Sequence, residues 1–326
     1  MKLLFFILFL ILVDSYFYSG ISSILNNKLG IAYKIIYWLF CILIYISIIF
    51  FYIKFRNEGH FNMSIVYSSL FFILLISKLF GSIPLILDDI LRLSKLISWL
   101  FSSGENNHDH GRLDFLKKSA FFMSSVLFTS LLLGMKWGRY NFKKNYQDIK
   151  ISNWPNLLDN YKIIHISDLH LGSFNSVEKL EEVVSIINGE EPDLIVFTGD
   201  LVNNYYHESI PFIDTLKKLN AKDGKFSILG NHDYGDYTGL DRNSKQWKHN
   251  FSKLLEIQKE IGFDLLLNDS RIINTRNSSF NLVGVENWGA GSFNKDGDLN
   301  LSMKRVDDTL PTILLSHDPS HWTEKV

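Results

Sequence analysis

The sequence predicts an all-α membrane region followed by a soluble α/β domain, and three observations carry that reading. Long apolar runs with few charges crowd residues 1–140 and then stop. Beyond residue 160, short β-branched runs alternate with stretches of helical periodicity, the pattern of a parallel sheet with crossover helices. Each of the first three runs ends in side chains able to ligate a metal: Asp168 and His170 in SDLH, Asp200 in TGD, and Asn231, His232 and Asp233 in GNHD. Open α/β folds place their ligands at this carboxyl edge of the sheet.

The 326 residues suffice for about two domains. A formal net charge of −1 gives no whole-chain argument for nucleic acid, although a substrate phosphate needs only local positive charge. Cys41 is the single cysteine and lies in an apolar run, so disulfides and thiol ligation say nothing about compartment.

Taken in order, residues 3–13 form an apolar run interrupted by Asp14 and resuming towards Leu25. No small-x-small cleavage site follows, which favours an uncleaved membrane anchor over a signal peptide. Asp14 is costly within such a span; it is either functional or the mark of a short anchor's end. Residues 35–53 are uncharged and long enough to cross a bilayer, and 61–77 form a second such run, ending at Lys78. Residues 79–101 mix Leu, Ile and Trp99 with Asp88, Asp89, Arg92 and Lys95, which predicts an interfacial helix. The His108-Asp109-His110 triplet reads as part of a solvated loop rather than a metal site, lacking a neighbouring element with further ligands.

Residues 119–135 supply the last span. Four spans return the chain to its starting side, which collects Lys2, Lys54, Arg56, Lys136, Arg139, Lys143 and Lys144. The opposite side collects Lys28, Arg92, Lys95, Arg112, Lys117 and Lys118, so the count leans towards a cytoplasmic C-terminal domain on the cell membrane. Residues 141–160, with Pro155 and several Asn, read as a linker into a domain spanning 161–326.

Ile163, Ile164 and Ile166 mark the domain's first strand. Residues two apart in extended chain point the same way, so Asp168 and His170 can face one metal ion. Helices are predicted over 177–188, 209–219 and 247–261, and strands over 194–198 and from Phe226. Further strand-like pieces at 263–267, 271–274, 280–285 and 312–316 suit a second sheet. His165 reads as a packed or supporting residue, His321 as surface, and Trp288 as a core residue beside a turn.

The ordered motifs SDLH, GD, GNHD and the later Ser316-His317-Asp318 resemble those of the calcineurin-like metallophosphoesterases, in their membrane-anchored branch. That resemblance implies a four-layer α/β/β/α sandwich and two divalent metal ions, for which oxygen and imidazole donors suit Mn, Fe or Zn. It also implies the roles: Asp168 and His170 on the first metal, Asp200 bridging, Asn231 and His317 on the second. His232 would be the acid that protonates the leaving oxygen, oriented by Asp233, and a metal-bridging hydroxide would attack the phosphorus. The family's Gly-His-x-His does not follow His317 before Val326, so a C-terminally truncated chain is expected.

The leading expectation is a membrane-anchored phosphoesterase acting on a phosphomonoester, a phosphodiester or a lipid-linked pyrophosphate such as UDP-2,3-diacylglucosamine. Its partners would be that phosphorylated small molecule or lipid and the bilayer itself. The alternative is a non-catalytic membrane sensor or scaffold with a degenerate metal site. A transporter is disfavoured, because Asp14 is the one charge the runs enclose.

Overall fold

The computed structural model describes residues 2–58, 65–101, 110–138, 140–151, 153–276, 278–291 and 294–326. The chain divides into two compact units, Met1–Asn141 and Phe142–Val326. His108 and Asp109 of the expected loop triplet, and the His110 side chain, lie outside the described residues.

In the first unit, helices α1 (Lys2–Glu58), α2 (Ile65–Phe101) and α3 (His110–Leu133) carry four segments long and apolar enough to cross a membrane: Leu3–Ile24, Ile31–Phe50, Ser69–Leu100 and Gly111–Leu133. The two halves of α1 fold back on one another. Tyr45 donates its hydroxyl to the Asp14 carboxylate, 31 positions away, whereas a straight helix would hold them roughly 46 Å apart.

Helix α2 passes through Lys78 and Pro84 without a break, so the two runs separated at Lys78 in the sequence form one helix. Lys78 Nζ lies 2.5 Å from Asp14 Oδ1, and Tyr37 donates to the Asp14 backbone carbonyl at 3.0 Å. Asp14 is 6% exposed, so it lies inside the bundle and does not end an anchor. Further along α2, Asp88 is buried between Arg92 at 2.6 Å and Arg112 at 3.0 Å, and Asp89 accepts from the Tyr16 hydroxyl at 2.6 Å.

The second unit runs β1 (Ile163–Ile166), α4 (Val177–Gly189), β2 (Leu194–Phe197), α5 (Ile213–Leu216), β3 (Lys225–Ser227), α6 (Lys245–Ile261) and β4 (Asp264–Leu265), then β5 (Asp269–Asn274), β6 (Ser279–Gly284), α7 (Leu299–Ser302), β7 (Thr312–Leu315) and α8 (Ser320–Lys325). Strands β1 to β4 form a parallel sheet in sequence order, and β5, β6 and β7 form a second sheet. The expectation that 263–267 joins the second sheet is corrected: β4 pairs with β3, Phe226 opposite Asp264. Helix α6 is a crossover, and a crossover returns the chain parallel to the strand it left. The helix expected over 209–219 is likewise shortened. Pro211 lies in a 3-10 turn, Ile210–Phe212, and only Ile213–Leu216 is α-helical.

Serine side chains start two of the helices as expected of N-caps, Ser176 accepting from Lys179 N and Ser244 from Trp247 N. Strand β2 is wholly buried, which explains its unbroken LIVF run. Ile195 and Phe197 face Leu180, Val184, Leu254 and Ile261 of the helices. Leu194 and Val196 face Phe280, Leu282 and Leu315 of the second sheet. Beyond that sheet, α7 and α8 flank the outer side of β7 around a cavity of about 500 Å³ lined by Leu299, Leu314 and Trp322. The order is therefore helix, sheet, sheet, helix.

Candidate metal centre

The three expected ligand loops meet at the carboxyl ends of β1, β2 and β3, and the backbones of the first two are strained in the same way. Asp168 (φ 55°), His170 (φ 45°) and Asp200 (φ 58°) are all left-handed. That conformation costs a non-glycine residue about 1–2 kcal/mol. Such strain persists only where the surroundings impose it, and it gathers at ligand clamps. Here a ladder extending past the strand ends imposes it: Asp168 N donates to Gly199 O at 3.0 Å, His170 N to Asp200 O at 3.0 Å and Leu171 N to Leu201 O at 2.9 Å. A Cβ at Gly199 would fall 2.1 Å from Gly230 N, so these two loops touch backbone to backbone and glycine is required.

Asp200 lies at the centre and is 2% exposed. Its Oδ2 is 3.4 Å from His170 Nε2 and 3.5 Å from His317 Nε2, and its Oδ1 accepts from His232 N at 2.9 Å. It belongs to two ligand groups, His170–Asp200–His232 and Asp168–Asp200–His317, in each of which the donor atoms lie within 4.8 Å of one another. Asn231 Oδ1 adds a carboxamide oxygen 3.0 Å from His317 Nε2. His317 Nδ1 lies 2.8 Å from the Thr198 carbonyl, which requires a donor there and turns Nε2 towards Asp200 and Asn231.

The electrostatics follow from this crowding. Burial works to raise Asp200, but the hydrogen bond and charge of His317 outweigh it and hold the carboxyl below the usual range. Burial works to lower His317, yet Asp200 pushes it up to about 9. A proton on His317 thus satisfies the charge of Asp200 when only protein surrounds it. A divalent cation would do the same, and carboxylates, imidazoles and a carboxamide without thiolate fit Mn, Fe or Zn.

Asp233 departs from expectation. It is fully buried and its carboxylate accepts from Asp200 N at 2.8 Å, Leu201 N at 2.8 Å and Gly230 N at 2.9 Å, with no bond to His232. Burial, assisted by the charge of Asp200, pushes it up to about 7 against those backbone donors. The expected Asp233–His232 pairing is therefore corrected: the Asn203 carbonyl, 2.7 Å from His232 Nδ1, orients that ring. Adjacent residues of a turn point apart, and Asp233 points into the loops it braces.

Asn203 also faces His170, with Oδ1 3.2 Å from Nδ1, and Glu208 pins it by accepting from Asn203 N at 2.6 Å. Tyr237 packs against His232 with ring centroids 4.5 Å apart and the planes tilted by 31°. Sequence reasoning missed Asn203, Thr198 and Tyr237, two of which act through backbone carbonyls that leave no mark on residue type. His165 touches the Thr198 hydroxyl at 2.7 Å, in keeping with a supporting role. His321 is not a surface residue; it is 1% exposed, 3.1 Å from the Ser316 hydroxyl and 5.8 Å, ring to ring, from the buried Trp288.

Residues 161–325 match the family model described as "Calcineurin-like phosphoesterase". The chain belongs to the calcineurin-like phosphoesterase family. Residues 1–139 match a second model, "Probable Calcineurin-like phosphoesterase, transmembrane domain". Family membership implies divalent-metal binding, and the four apolar segments with their matching domain mark a membrane protein.

Among curated relatives, an uncharacterized metallophosphoesterase of Bacillus subtilis, YkuE, is 33% identical over 176 residues, 52% of this chain and 55% of that protein. One from Helicobacter pylori is 28% identical, covering 64% of this chain and 53% of its own length. The UDP-2,3-diacylglucosamine pyrophosphatase LpxG of Chlamydia trachomatis is 30% identical over 198 residues, 50% of this chain and 58% of that protein. The chain thus spans about half the length of the curated relatives it matches.

Proposed function

We propose that the chain is a membrane-anchored phosphoesterase that uses two divalent metal ions. The observation that carries this reading is the double membership of Asp200, a buried carboxylate common to two converging ligand groups. By the family resemblance Asp168 and His170 would hold one ion and Asn231 and His317 the other, Asp200 serving both and Mn, Fe or Zn being the metal, whereas proximity alone groups His170 with His232 and Asp168 with His317. Two such ions, when bound, neutralise phosphoryl oxygens and lower the pKa of water into the neutral range.

The remaining work falls to the chain's own side chains. His232, its Nδ1 held by the Asn203 carbonyl, keeps Nε2 for protonating the leaving oxygen. Asp233 braces the Gly199 and Gly230 loops by accepting from the backbone amides of Asp200, Leu201 and Gly230 and bonds neither a ligand side chain nor His232. A lipid-linked pyrophosphate is the substrate class favoured by the membrane unit and by the activity in the name of the LpxG relative. Simpler phosphomonoesters and phosphodiesters share the same chemistry. The slight excess of Lys and Arg on the C-terminal domain's side, seven against six, favours a cytoplasmic domain, with the cell membrane as the proposed location.

The test is hydrolysis of bis-p-nitrophenyl phosphate and of UDP-2,3-diacylglucosamine by the full chain in detergent with Mn²⁺. Turnover that requires Mn²⁺ and collapses in Asp200→Asn supports the enzyme. A folded chain that retains Mn²⁺ and turns over neither substrate overturns the catalytic reading in favour of a sensor.

A further inference from the structure

We propose that Tyr237 is a positioning residue of the metal centre, fixing the Asn231 carboxamide with its oxygen turned to the ligand cluster. This rests on the metal-site reading above and adds to it. The Tyr237 hydroxyl accepts from Asn231 Nδ2 at 2.8 Å, while Asn231 Oδ1 lies 3.0 Å from His317 Nε2. A carboxamide offers one oxygen and one NH₂, and only the oxygen can ligate a cation. Occupying the NH₂ with an outside acceptor therefore decides which end faces the site. In the same position the Tyr237 ring lies 4.5 Å from the His232 ring at an interplanar angle of 31°, so one side chain supports a ligand and the proposed acid together.

The segment bearing Tyr237 is built to hold this placement. It is a 3-10 turn, Asp236–Thr238, between Gly235 (φ 65°) and Gly239 (φ 75°), both left-handed. A ring 54% exposed gains little from burial, so the anchor must come from elsewhere. Arg242 supplies it, donating through Nε to Asp236 Oδ1 at 2.8 Å and through Nη1 to Asp296 Oδ1 at 2.7 Å, and Asn294 Nδ2 donates to Asp236 Oδ2 at 2.7 Å. Forked guanidinium–carboxylate pairs fix direction as well as distance. Asp236 adjoins Tyr237, so Arg242 sets where the phenol stands.

The experiment is calorimetric titration of the full chain in detergent with Mn²⁺, in a double-mutant cycle of Tyr237→Phe and Asn231→Ala. Removing a partner that orients a ligand weakens metal affinity by about tenfold or more. Tyr237→Phe is expected to do so alone and to add nothing in the Asn231→Ala background, with an unchanged melting temperature. Arg242→Ala is expected to weaken Mn²⁺ binding in the same direction. Wild-type affinity in Tyr237→Phe, or an equal loss in both backgrounds, overturns the inference. If the unsubstituted chain binds Mn²⁺ and hydrolyses phosphoester while Tyr237→Phe matches it, only the role of Tyr237 falls. If the unsubstituted chain binds no Mn²⁺, the metal-site reading falls and this one with it.

Discussion

Each unit of the molecule buries a carboxylate at its centre, and the two are neutralised by different kinds of partner. Asp14 meets a lysine ammonium at 2.5 Å and the hydroxyls of Tyr37 and Tyr45, donors that are not the usual ligands of a metal ion. Asp200 meets the imidazoles of His170 and His317, whose ring nitrogens are themselves metal ligands, on a backbone held in a strained conformation. The first arrangement closes a charge off; the second leaves it ready for a cation. What separates the two buried carboxylates is thus the ligand character of their neighbours rather than their depth.

That contrast can be broken most directly at Asp200. Asp200→Asn is expected to lower kcat on bis-p-nitrophenyl phosphate by a thousandfold or more, roughly several kcal/mol of transition-state stabilisation, and to lose Mn²⁺ on dialysis. Retained metal would show the cluster does not depend on that charge. On the other side, Asp14→Ala leaves Lys78 unpaired and should destabilise the bundle by about 3 kcal/mol in a detergent melting experiment. The double replacement Asp14→Leu with Lys78→Leu should recover most of that loss. Failure to recover, with lost turnover, would make Asp14 functional and end the distinction.

His232→Ala sharpens the assignment within the site. A drop of about a hundredfold in kcat with Mn²⁺ content unchanged marks a proton donor, whereas loss of metal would mark a ligand. The smallest effect concerns pH. His317 is raised in the folded chain to about 9, so its contribution to the stability of the metal-free protein is complete below its ordinary pKa of about 6.5 and is lost as pH rises through 9. Melting temperature in chelator should fall across that window, and Mn²⁺ should flatten the profile.

Much of this was legible in the sequence because it is local. A β-branched run ending in Asp, His or Gly-Asp states both the strand and its ligand, and Asp168, His170, Asp200, Asn231 and His317 do converge. The misreadings share a cause in geometry between distant positions. Lys78 reads as the end of a span because its partner Asp14 lies 64 residues away. Strand β4 has only two paired residues, and its sheet is decided by the crossover before it. Asp233 adjoins His232 in the chain, which suggests a pair, but its oxygens serve backbone amides. The Asn203 and Thr198 carbonyls were invisible for a simpler reason, since every residue carries one.

The left-handed backbone at His170 carries an evolutionary consequence. Glycine adopts φ near 45° freely, so His170→Gly relieves strain even as it removes an imidazole from the cluster. Selection for foldability alone would therefore drift towards glycine here, and a histidine at this position records selection of another kind. A library screened only for expression should accumulate His170→Gly, whereas one screened for metal retention should purge it, so the ratio of the two enrichments reads out how much stability the chain forgoes for its chemistry.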